Sequence, residues 1–284
     1  MLRTMRTPLL ATILGLSLAG CLTIGDSGSP TTGGGGDDGT GTDGTGSNHQ
    51  GSGAIPSTAQ VDVSVDKAAL STELKTVNPI TITVKGSGGF SGSVGLTAAV
   101  VDGNQNPIAD WTVDLSAPSV SLAENGTSTA TATVHIPALS STLTGTLKVT
   151  TTSAATLGTT AASSTLTAAN QVTFLVKYDP ATMDCVYPAD GGTVANGVKV
   201  AQATKIRFFN NGADNIVIHV TSNNGTPISH QGQAPNGGPS NSTTLPNTAY
   251  EQTPIGTGPA TWYCHDSPTG AKDHKADDPR ILVQ

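Results

Sequence analysis

The chain has 284 residues, of which 12% are charged and 4% aromatic, with 34 Gly and 17 Pro. Its length suggests about two domains, and a composition dense in Thr, Ser, Gly, Ala and Val but poor in helix formers favours an all-β fold with many turns. The net charge of -7, which becomes -9 without a leader carrying Arg3 and Arg6, excludes non-specific binding to nucleic-acid phosphates. Anionic lipid headgroups would likewise find no polybasic cluster.

Residues 1–20 open with two arginines and continue through an apolar core, Leu9 to Ala19, too short to span a bilayer. That layout is a secretory signal peptide. It ends in Leu18-Ala19-Gly20-Cys21, which resembles a bacterial lipobox. The resemblance implies cleavage before Cys21, acylation of its thiol and a membrane anchor, since several acyl chains hold stably where one is marginal. Leu22, in place of an acid, implies by the same resemblance an outer-membrane lipoprotein facing the periplasm or the exterior. The other reading is an ordinary signal peptide with an incidental cysteine. Residues 21–58 then form a Gly/Ser/Thr/Asp-rich tether: positions 22–58 hold 12 Gly, four Asp and no Lys or Arg. Such a segment cannot bury a core and is expected to be disordered, spanning about 30–35 Å. Asp37, Asp38 and Asp43 lack the spacing of a calcium loop.

Alternation begins at Gln60. Val61, Val63 and Val65 share one strand face, as do Ile80, Ile82 and Val84; Val94–Val101, Trp111–Leu115, Thr129–Ile136 and Leu147–Thr151 continue the series. Turn signals at Gly86–Gly89, Asp102-Gly103, Glu124–Gly126 and Leu143–Gly145 separate them. About seven short strands predict an antiparallel sandwich over residues 59–172. Its segment Ser119–Val134 resembles bacterial immunoglobulin-like modules, which implies a spacer or interaction role. His135 reads as a strand-surface residue without chemistry.

Residues 173–284 hold most of the aromatics and four of the six histidines: His219, His230, His265 and His274. Strands are predicted at Val198–Val200, Thr204–Asn210, Ile216–Thr221, around Tyr250, Ala260–Cys264 and Arg280–Val283. Gln171–Tyr178 either closes the first sheet or opens the second. The stretch Val198–Gly212, the strand Asn215–Ser222 carrying His219, Gly258–His265 with its Tyr263-Cys264 pair, and the closing Asp278–Gln284 together resemble cupredoxins of the plastocyanin and azurin kind. The resemblance implies a Greek-key sandwich, bound copper, one-electron transfer or copper holding, and a redox protein partner. It assigns copper ligation to His219, Cys264 and His274, with His265 as substitute. A thiolate and two imidazoles suit both copper oxidation states.

The chain departs from that family. Ser267 and Thr269 stand where the second histidine falls in plastocyanin-like and azurin-like chains, and His274 lies ten residues beyond Cys264. Met183 is the single methionine of the mature chain, so no axial methionine follows His274. Adjacent strand residues point to opposite faces, so His265 can join Cys264 only if the strand ends at the cysteine. A different class stays open: with Cys21 acylated, Cys185 and Cys264 remain as an even pair in an exported protein, ordinarily a disulfide. The chain would then be a metal-free structural or adhesion lipoprotein. Enzyme readings lack their motifs: there is no His-x-His for a trinuclear copper cluster, no Gly-x-Ser-x-Gly elbow and no Gly-rich nucleotide loop. His265, Asp266 and Ser267 are contiguous and cannot converge as a triad. A binder or carrier, not a catalyst, is expected.

Overall fold

Two sheets are built from the first half of the folded region. In the computed structural model, which describes residues 55–155, 158–179, 184–186, 197–221, 227–229, 243–265 and 279–284, β1 (Gln60–Val65), β3 (Thr76–Ser87), β7 (Thr127–Ile136) and β5 (Thr112–Leu115) form one sheet in that order. The second, five-stranded sheet runs β2 (Ala69–Glu73), β9 (Ala161–Ala169), β8 (Thr144–Thr152), β4 (Gly92–Val101) and β6 (Ser119–Leu122). The leader, Cys21, the tether to residue 54, Met183, His230 and His274 lie outside the described residues.

Period-two alternation explains both sheets. Ile80, Ile82 and Val84 on β3 and Ala132 and Val134 on β7 are fully buried. Between them Thr81 faces Thr131 and Thr83 faces Thr129 across the ladder. Trp111 is buried and its indole N–H donates to Ser140 Oγ at 2.9 Å, so its polar edge is satisfied. The predicted turn at Gly86–Gly89 needs glycine at Gly88, where φ is +61° and a Cβ would collide with the Thr58 carbonyl. Asn125, at φ +53°, accepts the Gly89 N–H at 2.8 Å and pins this turn to the one before β7.

A second pair of sheets follows. The first of the pair runs β11 (Asp184–Val186), β10 (Gln171–Asp179), β13 (Lys205–Asn210) and β15 (Ala249–Gln252). The other runs β12 (Val198–Val200), β17 (Arg280–Val283), β16 (Gly258–His265) and β14 (Val217–Thr221). Two of its ladders are parallel, β10 with β13 and β12 with β17, and so is β2 with β9 in the first pair, where an antiparallel sandwich was expected. Gln171–Asp179 thus opens this second pair. Between the sheets Trp262 meets Phe208 edge-on at 4.8 Å and Phe174 at 5.4 Å, and all three rings are buried. The fold is all-β and of β-sandwich architecture, with no helix among the described residues.

Only Asn170 separates β9 from β10, and polar contacts fix the passage. Asn170 Oδ1 accepts from Thr204 Oγ1 at 3.0 Å, and its carbonyl takes the Lys205 N–H at 3.0 Å. Glu73 Oε2 accepts from Gln171 Nε2 at 2.9 Å and from Thr173 Oγ1 at 2.8 Å. Beside it the Leu74 N–H donates to the Gln171 carbonyl.

Candidate metal and disulfide centre

β14 and β16 are adjacent antiparallel strands, so the segments expected to carry ligands do lie side by side. Their register sets Val217 opposite His265, Ile218 opposite Cys264 and His219 opposite Tyr263. Directly opposed residues share a face, and chain neighbours do not. Ile218 and Cys264, each fully buried, therefore point into the core. His219, Tyr263 and His265 point to the other face. β16 continues through His265, one residue beyond the predicted end at Cys264, and this extra residue keeps His265 away from the cysteine's side.

The core-facing sulfur is already bonded. Cys264 forms a disulfide with Cys185 of β11, their Cα atoms 5.4 Å apart and 79 residues apart in sequence. The bridge joins the two sheets of the second sandwich, and both half-cystines are buried. A disulfide sulfur is not a thiolate, and His219 is on the opposite face of the ladder. The described residues therefore do not fit the thiolate copper set of Cys264 and His219. The substitute ligand His265 also faces away from the cysteine, and His274 lies outside the described residues.

The outer face brings other groups together. The His219 and His265 ring centres are 4.5 Å apart, with planes inclined by 48°. Tyr263 stacks on His219 at 4.8 Å. His265 and Tyr263 are buried, while His219 is half-buried. Sequence reasoning named both histidines but joined them through the cysteine; their diagonal placement depends on a register that spacing alone does not reveal. No group of three or more His, Cys, Asp or Glu is gathered to hold a metal ion among the described residues.

A groove of about 310 Å³ lies elsewhere, where β3 begins and β7 ends, walled by Lys75, Val77, Asp110, His135 and Pro137. His135 Nε2 lies 3.0 Å from Asp114 Oδ2, both side chains well exposed. This matches a strand-surface histidine.

Comparison with protein-family models and with curated proteins gives no match. Among solved structures, a family 123 glycoside hydrolase from Clostridium perfringens is similar at 10% identity and TM-score 0.31, over 43% of this chain and 31% of that one. The E. coli chaperone DraB is similar at 11% identity and TM-score 0.28, over 79% and 97%. The Salmonella enterica SafA pilin in complex with the SafB chaperone gives 12% identity and TM-score 0.25, over 78% and 96%. Likenesses this low carry no functional argument.

Proposed function

We propose that this chain is a lipid-anchored cell-envelope protein whose second sandwich is a structural or adhesion domain stapled by Cys185–Cys264. The observation that carries this reading is the bridge between β11 and β16. It suits an oxidising compartment, in agreement with the signal-peptide pattern and the lipobox-like Leu18–Cys21. The first sandwich then serves as spacer or interaction module on the tether. Thiol titration of the mature protein without reductant tests the staple: no reactive thiol is expected from Cys185 or Cys264 after unfolding, and both after reduction. A free Cys264 thiol would defeat the reading. Replacing Cys21 by Ala should release the protein from membranes or block its processing, and unchanged membrane partitioning with normal cleavage would count against the anchor.

A copper-binding electron carrier using Cys264, His219 and His274, and meeting a redox protein partner, is the second reading. Its support is the chain order of the cupredoxin-like segments and the pairing of the His219 strand with the Cys264 strand. It requires the bridge to be open and the β14–β16 register to shift so that His219 and Cys264 share a face. An intense visible band on adding Cu(II), abolished in Cys264→Ser, would establish it.

A further inference from the structure

We infer that the Cys185–Cys264 bridge is a redox gate worked by tension. It is closed to thiols in the relaxed fold, becomes reducible when β10 is drawn away, and on reduction releases the chain it encloses. The inference rests on the stapled-domain reading and adds to it the strand that guards the bridge and the class of reagent, an external dithiol, that opens it.

Burial closes the bridge. Cys264 is fully buried on the core side of β16, and Cys185 is only 6% exposed. An attacking thiolate must reach one of the two sulfurs, so exchange is blocked while both sheets are in place. The cover over Cys185 hangs on one strand. β11 is the edge of its sheet and three residues long, and β10 is its sole ladder partner among the described residues. Cys185 is opposite Tyr178 of β10, which is itself buried. Without β10, β11 belongs to no sheet and is tied to β16 through the sulfurs.

β10 is also where a pull on the tether enters the second sandwich. Asn170 alone separates it from β9, so tension passing through the first sandwich reaches β10 with no slack. Six pairs to β13, from Gln171–Lys205 to Val176–Asn210, hold the strand, and Glu73 holds its start. Once these yield, a pull between the tether and any point beyond Cys264 crosses the bridge and bypasses β12 to β15. The bridge withholds a separation of 79 residues, about 26–28 nm of extended chain. The dithiol then reacts in two steps. One of its thiolates attacks a sulfur of the bridge, and the other cysteine leaves as a thiolate and takes up a proton. Its second thiolate resolves the mixed disulfide, so two protein thiols form and the dithiol becomes a disulfide.

The test uses the full mature protein, purified without reductant. In bulk, dithiothreitol should release the two thiols at least about a hundred-fold more slowly without denaturant than with it, as for a group reached only through opening. Equal rates would overturn the gate and leave the staple standing. Glu73→Gln loosens the start of β10 and should speed release without denaturant about five-fold. An unchanged rate would place the opening away from β10 and overturn the assignment. A single molecule stretched by its two ends should fall short of full extension by about 26–28 nm, and dithiothreitol should add that length as one step. No added step would overturn the inference. Full extension without reductant would mean an open bridge, which defeats the stapled-domain reading itself and is recognised separately by the thiol count.

Discussion

Residue by residue, β16 alternates between chemistry and packing. Trp262 and Cys264 point inward, where the indole is fully buried against Phe208 and Phe174. Trp262→Ala should cost about 3–5 kcal/mol, while Trp262→Phe should cost less because it refills part of the cavity. Chemical denaturation of the full chain measures both, and equal losses would mean the cavity collapses freely. Tyr250, stacked on Phe208, has its phenol pushed up to about 12 by burial. Its hydroxyl donates to the Ser229 carbonyl at 3.1 Å. An unfolded tyrosine ionises near pH 10, so above that the unfolded chain gives up a proton that the folded one retains. Stability should therefore be full below about pH 10 and fall between about 10 and 12. Tyr250→Phe should flatten this decline, measured as the difference in denaturation midpoint between about pH 9 and about pH 11. A decline as steep in the variant as in the wild type would assign it to other groups.

Among the elements, legibility followed side-chain contrast. β3 alternates Ile and Val with Thr, and β7, β13 and β17 each carry large apolar residues on the buried side (Val134 and Ile136, Ile206 and Phe208, Ile281 and Val283); the sequence predicted each to within a few residues. β9 was not predicted: Ala161–Ala169 is mostly Ala, Ser and Thr, and its buried side is Ser164, Leu166 and Ala168. Small residues bury with little hydrophobic contrast, and the pairing of β9 with β8 and β2 comes from tertiary contact. β2 escaped for a related reason, since its parallel partner β9 is distant in the chain. The candidate site was legible as a set of residues and not as an arrangement. His219, His265, Cys185 and Cys264 all stand out in sequence, but the register of β14 on β16 decides which of them share a face. The extension of β16 by one residue beyond the cysteine turns His265 away from the sulfur, and the register does the same for His219.

Across the whole folded region, long-range links dominate. The Cys185–Cys264 bridge closes a separation of 79 residues, and by chain entropy it should contribute roughly 4 kcal/mol. The paired Cys185→Ala, Cys264→Ala variant should lose about that much in denaturant stability, and a loss near zero would mean that the bridge is dispensable. At the β9–β10 passage Glu73→Gln should weaken the hold on Gln171 and Thr173, each a charge-assisted bond in the native chain. A loss of about 1 kcal/mol is expected, with the transition broadening if the two sandwiches uncouple. β17 lies between β12 and β16, so these two strands belong to one sheet only through it. During synthesis that sheet has a gap at its centre until residues 280–283 have been made. A fragment stopping at residue 278 lacks the buried Ile281 and Val283 and leaves β12 without its β17 ladder. Such a fragment should be cut rapidly by protease anywhere in residues 171–278. Molecules that lack β17 would then carry their own invitation to degradation.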